Sequence, residues 1–572
     1  MSDEQDKYNV TFTPIPFDIS CDMQMRMLPA RDGVKLHTVL YFPPGFDGQK
    51  VPVLIIRTPY CNPKHPEMPD RRCLEHGIVY VLQSCRGTGC SEGFFDPANP
   101  TQERDDVEDL FNYLSAQPWF NGRCVMYGSS YTGWVQWGAA MTNFKGLVAI
   151  APKVAPIHSC FSGIYYNGNF RHEMSINWIF TQWHRRIKGF LNVPDYESMG
   201  LMEHLPFYEC DMAAGYGKMQ SYRNYIRHYD RPGPVVKMSQ DFFKKIGTPA
   251  YIYGGWFDPF KDETIRSFQL MKSNATTNKA RNFTRLCMGP WEHAGLINPD
   301  LFTGNAGPEE ATKTEERFIF GLLDKPDVDP IPDVPQVRYY VIGTNEWRNA
   351  SSWPPENVTE TRFYLHSTGN ANKDMKDGML DGNVPSNEKE DQYTSNPANP
   401  TLSCGGKCTP LGCYDRAADE KRDDVLTYTT TPMGNPLEIA GQIKLHFFAS
   451  ASTPDTDFCA ILTMLMPDGR SMFLTAGCVR ARFRNSLDSP SLIVPGKIYE
   501  YELDLSHIAV TIKPGYALRL ELCGQYYPTW NRNPNTGNSF LTDTELKISH
   551  HRIYHDAMHH SYLEMPVALL SN

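Results

Sequence analysis

The chain has 572 residues, a mass of 65.1 kDa and a formal charge of −10, from 55 Lys+Arg against 65 Asp+Glu. An acidic balance with a pI near 6.0 leaves no electrostatic footprint for nucleic acid. A mean hydropathy of −0.45, with no apolar run near the roughly 18 residues a membrane span needs, excludes that class as well.

Residues Met1 to Lys7 carry neither a basic n-region nor an apolar h-region, so the expected compartment is the cytosol. The 15 cysteines are odd in number and follow no short frame, which reads as thiols rather than a disulfide scaffold. Cys404, Cys408 and Cys413 cluster, but no second Cys/His pair stands beside them, and no metal is expected.

In chain order, Met23 to Leu28 and Val34 to Phe42 flank Arg31-Asp32-Gly33, a hairpin signature. Val53 to Ile56, Ile78 to Leu82, Cys124 to Tyr127 and Leu147 to Ile150 are continuous apolar runs too short for helices. Between them, Val107, Leu110, Phe111 and Leu114 repeat at helical spacing within Arg104 to Ser115. Buried runs alternating with helices predict a parallel sheet covered on both faces. From 152 to 243 strand-like runs give way to aromatic, Met-rich amphipathic stretches, Met174 to Trp183 and Tyr208 to Tyr229, which reads as a helical cap insertion. Sheet runs return at Ala250 to Tyr253 and Arg285 to Met288. Beyond the Asp- and Pro-rich stretch Asp324 to Pro335, short alternating runs (Val337 to Ile342, Arg362 to Leu365, Ile443 to Phe448, Leu518 to Cys523) predict an antiparallel sandwich or jelly roll. The expected division is 1–151 with 244–330 as the catalytic sheet domain, 152–243 as the cap and 335–572 as the β domain.

The sharpest signal is Gly128-Ser129-Ser130-Tyr131-Thr132-Gly133, placed between an apolar run and a helical stretch. That strand–turn–helix context suits a nucleophile elbow, although its last glycine comes one position later than in G-x-S-x-G. A serine nucleophile needs a general base, and the base needs an orienting carboxylate. The next two sheet runs end in Gly255-Trp256-Phe257-Asp258 and Gly289-Pro290-Trp291-Glu292-His293, so a carboxylate and an imidazole follow in the order Ser…Asp…His. Taken singly, Asp258 fits a solvated loop carboxylate and His293 a hydrogen-bonded loop histidine. Together they predict a triad with Ser130.

These stretches, with Arg57-Thr58-Pro59-Tyr60, Gln83 to Gly93, Asn345 to Arg348 and Tyr554 to Leu563, resemble the cocaine esterase / X-prolyl dipeptidyl peptidase (CocE/NonD) family of serine hydrolases from about residue 20 onward. The resemblance implies an α/β-hydrolase domain with a helical cap and a C-terminal jelly roll. It implies Ser130 as nucleophile, His293 as base, Asp258 as orienter, and an oxyanion hole from the Tyr60 hydroxyl and the Tyr131 N–H. Related sequences carry Asp-x-Arg-Gly where this chain has Ser84-Cys85-Arg86-Gly87, a difference in a supporting contact outside the triad.

For the substrate, Phe260 and Lys261 stand where relatives that bind an α-ammonium group place carboxylates. Phe260 therefore reads as an apolar wall, as in cocaine esterase, with Trp178 and Trp183 of the cap as further wall or as packing between cap helices. A small-molecule acyl or aryl ester is favoured; amide, X-Pro peptide or thioester hydrolysis and acyl transfer use the same triad and stay open. A carbohydrate- or partner-binding protein with an inert hydrolase domain is the reading from another class. The histidines between His550 and His560 fall in the family's closing strand, which implies no metal. No cofactor is expected, and whether the chain forms a homodimer is open.

Overall fold

A computed structural model describes residues 21–62, 69–97, 99–157, 163–188, 193–196, 199–226, 235–295, 306–405 and 412–569. The chain opens with the hairpin β1 (Asp22–Pro29) and β2 (Lys35–Phe42), followed by β3 (Val51–Thr58), α1 (Arg71–Glu75), β4 (Val79–Ser84), α2 (Pro100–Ser115), β5 (Phe120–Ser129), α3 (Tyr131–Met141) and β6 (Leu147–Lys153). Alternate residues of β3 feed two separate cores: Val53 and Ile55 pack with Val107, Phe111 and Trp134, whereas Leu54 and Ile56 pack with Leu74 and Phe318. A strand buried on both faces must be apolar throughout, which is why these runs show no alternation. Helix α2 begins where Pro100 follows Asn99, whose side chain accepts from the Gln102 N–H.

The chain then leaves the sheet. It forms a short hairpin, β7 (Tyr165–Tyr166) and β8 (Asn169–Phe170), and helices α4 (His172–Lys188), α5 (Cys210–Ala213), α6 (Gln220–Ile226) and α7 (Val235–Phe243). The expected single helical stretch from Tyr208 is split: Gly215 and Gly217 adopt left-handed φ of 73° and 69°, and residues 227–229 lie outside the described residues. This insertion has its own core of Phe170, Ile176, Phe180, Phe207 and Tyr222, closed by Tyr527 and Phe540 from the C-terminal region.

The sheet resumes with β9 (Tyr251–Gly255), α8 (Lys261–Asn274), α9 (Asn278–Phe283), β10 (Arg285–Gly289), α10 (Glu309–Asp324), β11 (Val337–Val341) and β12 (Glu346–Ala350). Its ten strands run in the order β1-β2-β4-β3-β5-β6-β9-β10-β11-β12, parallel from β4 to β11. This corrects one expectation. Val337 to Ile342 was assigned to the β domain, yet β11 pairs in parallel with β10 (Leu286 opposite Val337) and extends the first sheet past residue 335. The stretch Asp324 to Pro335 is the return loop of a β10–α10–β11 crossover.

From Val358 to Ala568 an 11-stranded, almost wholly antiparallel sheet folds into the sandwich. Leu437–Ala451 pairs with Tyr499–Ile512, and Asp457–Leu465 with Ser471–Arg480. It adjoins the first sheet where Ile342 exchanges backbone bonds with Ala509 (3.0 Å) and Thr511 (2.7 Å). The C-terminal histidines follow strand alternation: His551 faces the core and His550 is exposed, while His555 is buried against Asp391 at 3.0 Å. Cys408 lies outside the described residues, among which no group of three His, Cys, Asp or Glu could hold a metal and no helix is long and apolar enough to cross a membrane.

Candidate active site

The C-terminal ends of the parallel strands share one rim, where the loops of such sheets place ligands. At the end of β5, Ser130 adopts φ 59° and ψ −125°, a left-handed conformation that a non-glycine residue holds only when its surroundings over-determine it. They do: its N–H donates to the Lys153 carbonyl (2.9 Å), and its own carbonyl accepts from Gly133 (3.0 Å) and Trp134 (2.9 Å). The turn requires small neighbours. A Cβ on Gly128 would stand 2.3 Å from Thr132 Oγ1, and one on Gly133 2.7 Å from the Ala155 Cβ. The late glycine of the motif is thus the contact by which α3 approaches the residues following β6.

Asp258 follows β9 with none of its surface exposed. Its Oδ1 accepts from the Phe260 N–H at 2.7 Å, and its Oδ2 lies 2.5 Å from His293 Nδ1. Two backbone bonds hold the loops together, Trp256 N–H to Gly289 O (2.9 Å) and Phe257 N–H to Trp291 O (3.1 Å). Burial works against a charged imidazole at His293, but the field and hydrogen bond of Asp258 outweigh it and raise the His293 pKa above its ordinary value.

Tyr60 follows β3. Its hydroxyl accepts from Trp178 Nε1 at 3.2 Å, and the Ser130 side chain and the Tyr131 N–H are near enough to draw its pKa down. Burial raises its pKa despite those contacts, so the phenol keeps its proton at neutral pH. Tyr60, Ser130, Tyr131, Trp178, Phe260 and His293 line one cavity of about 770 Å³, within the size range of small-molecule sites. The Phe260 ring stands edge-on to His293 at 5.6 Å. The neighbouring Lys261 turns away, donating to Thr475 Oγ1 of the sandwich at 3.1 Å.

Trp183 is not brought to this cavity. It lines a separate small void beside Cys61 and Arg186. Five residues along a helix amount to about 140° of net rotation, so Trp178 and Trp183 occupy different faces of α4. Sequence reasoning also missed the polar residues that α4 sends into the cavity, Glu173, Asn177 and Thr181, whose spacing of four was the available signal. Glu173 is mostly buried and accepts from Asn177 Nδ2 at 2.7 Å.

Comparison with known proteins bears on this arrangement. Residues 32–295 match the family profile described as X-Pro dipeptidyl-peptidase (S15 family), and residues 331–564 that of the X-Pro dipeptidyl-peptidase C-terminal non-catalytic domain. Cocaine esterase of Rhodococcus sp. (strain MB1 Bresler) is 31% identical over 95% of this chain and 97% of its own. Among solved structures, an aminopeptidase from the marine sediment archaeon Thaumarchaeota archaeon superposes with a TM-score of 0.80 at 22% identity, covering 98% of this chain and 99% of that one. An α-amino acid ester hydrolase does so with a TM-score of 0.79 at 22% identity, covering 97% and 98%. Both structures share the whole fold.

The elbow's packing makes a stability prediction. Gly133→Val should lower the thermal midpoint, costing about 1–3 kcal/mol through overpacking. Gly138→Ala, five residues along α3, should be neutral or stabilising, because its Cβ meets nothing nearer than 3.6 Å. Equal midpoints for the two variants would contradict the close approach at Gly133.

Proposed function

Because this chain belongs to the CocE/NonD family of serine hydrolases, we propose that it cleaves a small carboxylic ester, acyl or aryl, through Ser130, His293 and Asp258 by way of an acyl-enzyme. The observation that carries this reading is the Asp258–His293 hydrogen bond at 2.5 Å, set on the cavity that also holds Ser130 at its strained turn. Neutral His293 takes the Ser130 hydroxyl proton as the oxygen attacks the ester carbonyl. The resulting oxyanion accepts from the Tyr60 hydroxyl and the Tyr131 N–H. Collapse expels the alcohol, protonated by His293, and leaves the acyl group on Ser130. Water, deprotonated by the same imidazole, then releases the acid and restores the serine. Asp258 holds the imidazole in the tautomer that leaves Nε2 free to accept.

An ester is favoured by the apolar walls Phe260 and Trp178 and by the likeness to an esterase over almost the whole chain. Cleavage of an X-Pro peptide is the second reading, favoured by the S15 family profile over residues 32–295. A panel of acyl and aryl esters, amides and X-Pro peptides, with the mass of the trapped acyl-enzyme, separates the two.

A fluorophosphonate probe should label the wild type and not Ser130→Ala. Turnover in Ser130→Ala or His293→Ala should fall by at least roughly 10⁴-fold, and near-normal rates in either would reject the assignment. Tyr60→Phe should lower kcat about 10²–10³-fold, the usual loss for one oxyanion donor. The pH profile has a definite sign. Protonated His293 cannot act as base, so kcat/KM should fall as the pH drops through its pKa. Asp258→Asn removes the charge that does most to raise this pKa and leaves only the weaker field of Glu292. Its acid limb should therefore move to lower pH while the rate falls; a limb displaced to higher pH would contradict the role of Asp258.

A further inference from the structure

The proposed oxyanion hole draws on two elements that are far apart in sequence. Tyr60 hangs from the end of β3, whereas the Tyr131 N–H belongs to the first residue of α3. Donors of this kind work only when aimed at the place where charge develops, and displacement by about 1 Å can cost about 100-fold. Some contact has to fix one element against the other.

Glu103, in the first turn of α2, is placed to do so. Its side chain is 6% exposed, and it splits its carboxylate between the two elements. Oε2 accepts from the Arg57 guanidinium at 2.8 Å, and Oε1 accepts from the Tyr131 hydroxyl at 2.8 Å. The same Arg57 nitrogen also donates to the Glu103 carbonyl at 2.8 Å. Arg57 is fully buried in β3, three residues before Tyr60, and its Nε donates to Gln83 at 2.9 Å, which in turn donates to Thr38 at 3.0 Å. The arginine is thereby pinned across β2, β4 and β3. On the cavity side the chain of contacts closes. The Tyr131 ring stacks on Trp178 with centroids 5.7 Å apart and planes at 17°, and Trp178 Nε1 donates to the Tyr60 hydroxyl at 3.2 Å.

We propose that Glu103 is a positioning residue that locks the Tyr60 and Tyr131 oxyanion donors into register by holding Arg57 with one carboxylate oxygen and the Tyr131 phenol with the other. The inference rests on the serine hydrolase reading above. Glu103 touches no substrate; it acts through Arg57 and Tyr131.

The main test is Tyr131→Phe, which keeps the backbone N–H and the buried Arg57–Glu103 pair and removes only the phenol that reaches Glu103. Glu103→Gln is the second variant, since it retains an acceptor for that phenol. Rates with p-nitrophenyl butyrate are normalised to active sites titrated with a fluorophosphonate, so that loss of folded protein does not enter. Tyr131→Phe is expected to lower kcat about tenfold or more with KM within twofold, and to weaken inhibition by an alkyl boronic acid, whose tetrahedral oxygen occupies the hole, by a similar factor. Glu103→Gln should retain more of both than Glu103→Ala. A merely structural role would lower the thermal midpoint without separating kcat from KM. Normalised kcat and boronate affinity within twofold of wild type in Tyr131→Phe, or a loss carried equally by KM, would overturn the proposal. A Ser130-dependent enzyme indifferent to Tyr131→Phe sinks only the positioning role. Turnover surviving Ser130→Ala sinks the hydrolase reading, and the positioning role with it.

Discussion

A carboxylate removed from water is tolerated only where its oxygens are otherwise engaged, and the site is arranged around that requirement at Asp258. One oxygen is satisfied within its own turn by the Phe260 N–H, and the other by His293. The imidazole is thus fixed because it completes the solvation of a buried charge, and the same contact raises its pKa. Orientation and basicity come from one interaction. It exists because β9 and β10 run in parallel, so that their following loops leave the sheet side by side.

The segment after Asp258 is held by all three parts of the chain. Arg171, at the start of the insertion, donates to the Pro259 carbonyl, and its guanidinium lies over the Phe260 ring at 5.8 Å. Lys261 reaches Thr475, and Asp262 accepts from Ser506, both in the sandwich. The sandwich therefore contributes to the site without lining it: it anchors the first turn of α8, whose preceding residues carry the carboxylate.

How much of this was legible in the sequence depended on the kind of signal. Val53 to Ile56 and the helix face of Arg104 to Ser115 could be read because burial on both faces, or on one stripe, leaves a periodic trace. That Asp258 and His293 lie close together could be read because each follows an apolar run, and strand ends on a parallel sheet share a rim. Val337 to Ile342 misled, since a buried edge-proximal strand looks the same whichever sheet it joins, and only its pairing with β10 decides the matter. For Trp183 the two readings, cavity wall or packing, could not be told apart, because periodicity groups residues by face without saying which face meets the cavity. The bonds of Glu103 left no trace: an acidic residue in the first turn of a helix is ordinary there, and its partners are 46 and 28 positions away.

The departure at Ser84 follows the same logic. Where the family resemblance implies a carboxylate, this chain has Ser84, beside two arginines. Arg57 and Arg86 are both buried, and a guanidinium there needs counter-charge close by. Here it comes from α2 and the first hairpin. Glu103 takes Arg57, Asp106 takes Arg86 at 2.6 Å and lies 3.6 Å from Arg57, and Asp32 takes Arg86 at 2.6 Å. Ser84 Oγ and one Arg57 nitrogen remain without a hydrogen-bond partner among the described residues. Three carboxylates serve the two arginines, and the electrostatic hold on β3 comes from Glu103 and Asp106 in the first two turns of α2. Arg57, three residues before Tyr60, is thus held by the same helix whose Glu103 accepts from the Tyr131 hydroxyl.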